Sequence, residues 1–204
     1  MKEPDNKIVF KTGDAFIPRE EKIRQLLAQE IADGENLAAE SRKMVEYLLL
    51  EKKGYAAGDI RKAAAFEVQL GDETAWSSVD FIVSIDGRIG MIIKCAAGSL
   101  DSRQRQAVAA ARVISSPPAP VAVVADPVDA NVLDVATGKM TGEGFGAIPV
   151  KDQLRTIMAE QAMTSPDPKR LEKEKRILLA FDVIKCCVPQ GKDGGVQIGE
   201  PEKK

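Results

Sequence analysis

The chain has 204 residues, 44% apolar and 29% charged, with a formal net charge of −2 and no histidine. These values suit one ordinary globular domain with room for an appendage, and they exclude a global basic field, so any nucleic-acid contact must rest on a local patch. No apolar run approaches the roughly 18 residues of a membrane span, the first residues lack a signal-peptide core, and three cysteines make neither a disulfide framework nor a zinc spacing.

Without histidine, any chemistry must use carboxylates, Lys, Ser or Cys. A reducing, cytoplasmic location is the simplest expectation. In chain order, Lys7-Ile8-Val9-Phe10 suits a short strand and Pro18 a helix start. Arg19 to Asp33 places Ile23, Leu26, Leu27 and Ile31 on one stripe at helical spacing, with Gly34 as the expected stop. A second helix is expected over Ala39 to Lys53, with Val45, Leu48 and Leu49 inward and Gly54 at its end. On its polar side Arg42 and Glu46 stand four apart, the spacing of a solvated ion pair.

Ile60 to Leu70 reads as a strand, with Phe66 and Val68 alternating against Glu67 and Gln69. Gly71 to Ser78 reads as a loop carrying Trp76, the only tryptophan, packed on a sheet edge. Ser77 to Ser99 is the centre of the chain: two strands joined by Asp86-Gly87, a dipeptide suited to a type I′ turn. The period of two puts Val79, Phe81, Val83 and Ile85 on one face and Asp80, Ile82 and Ser84 on the other. In the second strand Ile89, Met91, Ile93 and Cys95 alternate with Gly90, Ile92 and Lys94. Asp80 and Lys94 therefore point into one space, which is costly to bury unless the charges pair or act. Cys95, on the core-facing side, reads as a buried small apolar residue.

Asp101 or Ser102 suits the N-cap of an alanine-rich helix from Ser102 to Ile114, able to lie close to a sheet and ended by Pro117-Pro118. Val121 to Ala125 has the continuous apolar character of a strand covered on both faces, and Asn131 to Val135 leads into the turn Thr137-Gly138-Lys139. Met140 to Val150 reads as a loop, and its three spaced glycines precede no helix start of the kind a phosphate loop needs. Lys151 to Ala162 suits a helix, Pro166 and Pro168 punctuate a linker, and Lys169 to Val188 a long helix. That helix is apolar nearly all round in its second half, so it is expected to pack on the domain's own helices or, as preferred, on its copy in a homodimer. The resulting plan is a helical extension over 1–38, an α/β core over 39–162, a C-terminal helix over 163–188 and a disordered tail over 189–204.

An Asp, a hairpin and a strand ending near Lys form the core order of PD-(D/E)XK nucleases. Within that superfamily, the run from Arg42 to Pro149 resembles the N-terminal domain of type I restriction-enzyme R subunits. The matching pieces are SRKMVEYLLLEKKGY (Ser41 to Tyr55), FEVQL (Phe66 to Leu70), VDFIVSIDG (Val79 to Gly87), IIKCAAGSL (Ile92 to Leu100), SRQRQAVAAAR (Ser102 to Arg112) and LDVATGK (Leu133 to Lys139). They cover about half of the chain, and their order is more specific than any one piece. The resemblance implies an α/β fold with a mixed central sheet flanked by helices.

It also implies a site. Such nucleases hold Mg²⁺ on an Asp and a Glu and use a Lys to position the attacking water, chemistry that suits a hard cation beside phosphate oxygens. Here Asp80 and Lys94 match, but Ile92 stands where the second acid belongs. Glu67 on the preceding strand is the expected replacement, giving Asp80 and Glu67 as metal ligands and Lys94 as the third catalytic residue. Glu40 and Glu46 are weaker substitutes. Gln104 and Gln106 lie where related nucleases carry a helix glutamine, with simple solvation as the other reading. Arg105 and Arg112 share a helix face that would meet phosphates or merely water. Three functions stay open: a Mg²⁺-dependent DNA endonuclease, a degenerate module that binds DNA or a partner without cutting, and a structural dimer module. No Gly-x-x-x-x-Gly-Lys-(Ser/Thr) sequence occurs, so ATP-driven translocation is not expected of these residues.

Overall fold

A long first helix and a hydrogen-bonded strand meander set the architecture. The computed structural model describes residues 19–96, 99–161 and 166–186. Helix α1 (Arg19–Glu51) is followed by strands β1 (Ile60–Leu70), β2 (Glu73–Ile85) and β3 (Arg88–Cys95), then helix α2 (Leu100–Val113). Strands β4 (Val121–Ala125), β5 (Ala130–Asp134) and β6 (Met140–Glu143) come next, then helices α3 (Lys151–Glu160) and α4 (Pro168–Cys186). The expected strand at Lys7–Phe10, the helix start at Pro18 and the tail from Pro189 lie outside the described residues.

The six strands form one mixed sheet in chain order, β1-β2-β3-β4-β5-β6. Only the β3–β4 pair is parallel, and α2 supplies the crossover that a parallel pair requires. The chain is thus an α/β sandwich, as expected. At the β2–β3 turn Asp86 and Gly87 have φ of 51° and 78°, the pair of positive values that a type I′ turn demands.

Two apolar layers cover the sheet. One contains Ile82, Ile92, Ala122, Val124 and Leu133 with the buried alanines of α2 and Leu178 of α4. Ala107, Ala109, Ala110 and Ala111 let α2 lie close to the strands, as the sequence predicts. The other layer joins Phe81, Val83, Ile85, Met91, Ile93 and Val123 to Val45 and Leu49 of α1 and Leu154 of α3. Gly90 is the contact point for α3: a Cβ there would stand 2.5 Å from the sulfur of Met158. Tyr55 donates its hydroxyl to the carbonyl of Pro149 at 2.9 Å, tying the end of α1 to the start of α3.

Several local expectations need correction. Gly34 does not stop the first helix; α1 runs unbroken for 33 residues. A mid-helix glycine costs only about 1 kcal/mol, less than the hydrogen bonds of the turns on either side return. Trp76 is not in a loop but inside β2, where it pairs with Glu67 and is 66% exposed. The expected loop at Met140–Val150 contains β6 and a short 3-10 turn, because β5 offers it a hydrogen-bonding edge. Val79 joins the layer of Ile82 rather than that of Phe81. That break in alternation coincides with Ala63, which the register brackets opposite Asp80 and whose φ of 47° is unusual for a residue with a Cβ.

Helix α4 docks on its own domain, against α2, β1 and β2, with Leu178 fully buried.

Candidate functional site

Asp80 and Lys94 lie on adjacent central strands, held by the register that pairs Ile82 with Ile92 and Phe81 with Ile93. Each has a defined partner. Asp80 Oδ2 accepts the backbone N–H of Cys95 at 2.7 Å, and Oδ1 faces the Arg42 guanidinium at 3.3 Å. Lys94, only 6% exposed, donates from Nζ to the carbonyl oxygen of Ser78 at 2.8 Å. Arg42 reaches Asp80 from α1 because the helix crosses the sheet beside β3. The i,i+4 pair expected between Arg42 and Glu46 does not form; Glu46 instead pairs with Lys62 of β1. Both helix charges are thus spent on docking α1 to the sheet.

Ile92 is 0% exposed and belongs to the apolar layer beneath α2. Its side chain brings no oxygen to the site. Glu67 does not replace it. Glu67 is exposed and pairs with Trp76, four positions along β1 from the residue opposite Asp80. At a rise of about 3.3 Å per residue, that is about 13 Å away. Glu40, exposed on α1, forms no acidic group with Asp80 either: among the described residues no three of His, Cys, Asp or Glu gather closely enough to hold a metal. The residues present therefore do not fit Mg²⁺. A divalent ion surrenders water only to well-placed carboxylates, and here the single nearby carboxylate is already neutralised by a guanidinium.

Cys95 is half-buried against the α1-side layer. Burial and the adjacent Asp80 carboxylate push its thiol well above the ordinary value, which suits an inert packing residue rather than a nucleophile.

The α2 candidates part company. Gln104 is half-buried and donates its side-chain amide to Asp101 at 2.7 Å, in the first turn of the helix. Gln106 is fully buried, and its side-chain oxygen accepts from Arg103 at 3.4 Å. Its burial rules out the solvated reading. Arg112 is not a wet-face arginine either. It is 6% exposed and pairs with the buried Glu174 of α4 at 2.7 Å, while its Nε donates to the carbonyl of Val135 at 2.9 Å. Burial pulls the Arg112 guanidinium below its ordinary value, and the hydrogen bond to Glu174 works against that pull. Arg105 meets the same Glu174 at 2.7 Å but stays half-exposed.

Sequence reasoning misses Arg42 as the partner of Asp80, although Arg42 lies inside a quoted matching segment. It also misses Glu174, because nothing in a helix rich in charge marks one acid as buried.

No helix among the described residues is long and apolar enough to cross a membrane. No curated protein and no solved structure matches the chain. A family model described as "Type I restriction enzyme R protein N terminus (HSDR_N)" matches residues 37–149, more than half of the sequence. The matched span opens just before Arg42 and closes at Pro149, and the chain belongs to the family of type I restriction enzyme R protein N-terminal domains.

Proposed function

We propose that this domain is a degenerate nuclease-type module that associates with DNA without hydrolysing it. The observation that carries the reading is Ile92: a fully buried apolar side chain in the position where a metal-dependent site needs its second acid. The Arg42 guanidinium supports it by taking the charge-neutralising place beside Asp80 that a cation would hold. Lys94, bonded to the Ser78 carbonyl, stiffens the β2–β3 pair instead of positioning water. The remaining role for such a module inside a restriction-type assembly is binding, through cationic side chains on the helices that flank the sheet.

The test is a cleavage and binding assay on the unmodified protein. Plasmid and single-stranded DNA incubated with Mg²⁺ or Mn²⁺ should stay intact, while DNA binding should be measurable and should fall with added salt. Metal-dependent cutting that disappears in Lys94→Ala, in a protein that still folds, would establish the opposite: an active metal-dependent endonuclease. A homodimer through α4 would show as a mass doubling in sedimentation that is abolished by removing residues 169–204.

A further inference from the structure

The cavity between α2, α4 and the Thr137-Gly138 turn has a volume of about 340 Å³ and is lined by Gln104, Arg105, Arg112, Thr137 and Arg170. We infer that this cavity is a phosphate-binding pocket. The inference rests on the reading of the chain as DNA-associated for the source of the phosphate, though not for the pocket itself.

The argument starts from charge. Three guanidinium groups converge on one carboxylate: Arg105 and Arg112 each stand 2.7 Å from Glu174, and Arg170 stands 4.0 Å from it. Asp101, also on the wall, is occupied by the amides of Gln104 at 2.7 Å and Asn131 at 3.4 Å. Counted as charges, the three guanidiniums exceed Asp101 and Glu174 by one, with Asp134 behind the turn also in reach of Arg112, a small local surplus in a chain whose overall charge is negative. That is the local patch an acidic protein needs to hold a polyanion.

Geometry then selects the ligand. Arg112 is committed at the base of the pocket, with its guanidinium also bonded to the carbonyls of Val135 and Ala136. Arg105 and Arg170 are half-exposed and keep N–H donors that a single carboxylate cannot accept. Two forked donors on opposite walls suit a tetrahedral oxyanion, which offers several acceptor oxygens at once. The turn completes the enclosure. Gly138 has φ of 74°, and Thr137 is fixed by its N–H and hydroxyl to Asp134 at 2.6 and 2.7 Å. The LDVATGK segment thereby acquires a purpose: it folds a tight corner over the arginines. Arg170 and Glu174 lie beyond the span shared with the family, so α4 adds one arginine to the lining and one acid behind it.

The experiment measures two ligands on the full chain: inorganic pyrophosphate by calorimetry and a short single-stranded DNA by fluorescence anisotropy. Two variants probe the pocket while leaving the buried Arg112–Glu174 pair intact: Arg170→Glu reverses a half-exposed charge, and Arg105→Gln removes one. Circular dichroism checks that both remain folded. The expected result is binding of both ligands by the unmodified protein, weakened about ten-fold or more in Arg170→Glu. Pyrophosphate binding lost in Arg170→Glu with no DNA binding at all would uphold the pocket and reject the DNA-associated reading. DNA binding that is equal in both variants and the parent, with no pyrophosphate binding, would overturn the pocket and leave that reading standing. Absence of binding by either ligand would overturn both.

Discussion

Glu174 of α4 and Arg112 of α2 meet at 2.7 Å with 2% and 6% of their side chains exposed. A pair this dry is held by its mutual neutralisation, so removing one partner leaves the other as a buried charge. Glu174→Ala should lower stability by about 3–5 kcal/mol. It should also release α4, making residues 166–186 newly sensitive to limited proteolysis. Glu174→Gln keeps a hydrogen-bond acceptor for Arg112 and should lose less. Urea unfolding of the two variants side by side checks the order.

Asp80 provides a sharper contrast between a structural and a metal-holding acid. Asp80→Asn retains an oxygen for the Cys95 N–H and should cost about 1 kcal/mol, whereas Asp80→Ala abandons that donor and Arg42 together and should cost about 2 kcal/mol. Millimolar Mg²⁺ should leave the melting temperature of the unmodified protein where it is. A rise in melting temperature with Mg²⁺ that vanishes in Asp80→Asn would show the acid to be a metal ligand after all.

Ile92→Glu places a carboxylate in an apolar layer beneath α2. We expect a loss of about 3 kcal/mol or more from desolvation. Restoring an acid here is not sufficient for metal binding, because position 92 faces the α2-side layer while Asp80 meets Arg42 of α1 beside Cys95 of the other layer. Mn²⁺ should leave the melting temperature unchanged both in Ile92→Glu and in Ile92→Glu combined with Arg42→Ala, and a rise in either would overturn this placement.

The response to acid follows from Asp59, whose carboxyl is held below its ordinary value of 3.8 chiefly by the hydrogen bond from Lys151, with burial acting the other way. A folded-state value below the unfolded one favours the native state at pH above 3.8, and that contribution disappears as pH falls through the folded value. Asp134 adds the same sign: burial alone would raise it, but the Thr137 and Gln161 hydrogen bonds prevail. Lys151→Met should therefore flatten the loss of stability as pH falls below 3.8. Urea midpoints across that range, compared with the parent, measure the difference.

How much of this is legible in the sequence depends on whether the cause is local. The β2–β3 hairpin is legible because Asp86-Gly87 and the apolar alternation from Phe81 to Ile85 are decided by neighbours in the chain. The alanines of α2 are legible for the same reason. Gly34 is misleading because helix continuity sums over many residues, and one glycine cannot outweigh them. β6 escapes notice because its strand character comes from the edge of β5, not from Met140–Glu143 themselves. Of the site, Asp80, Lys94 and the apolar substitution at Ile92 can be read directly. The distance of Glu67 cannot, since it follows from register along β1, and the burial of Arg112 cannot, since it depends on an acid 62 residues away.

The order of the sheet has a consequence for how the molecule is made. Every strand pairs with the strand synthesised just before it, from β1 through β6. A chain emerging from the ribosome can therefore add each strand to an edge that already exists, and only the β3–β4 step must wait for an intervening helix to cross over. The arginines of α2 emerge long before Glu174 does, so α2 spends part of its synthesis with Arg105 and Arg112 bare. Helix α4 then follows the sheet, and its Glu174 neutralises the buried Arg112.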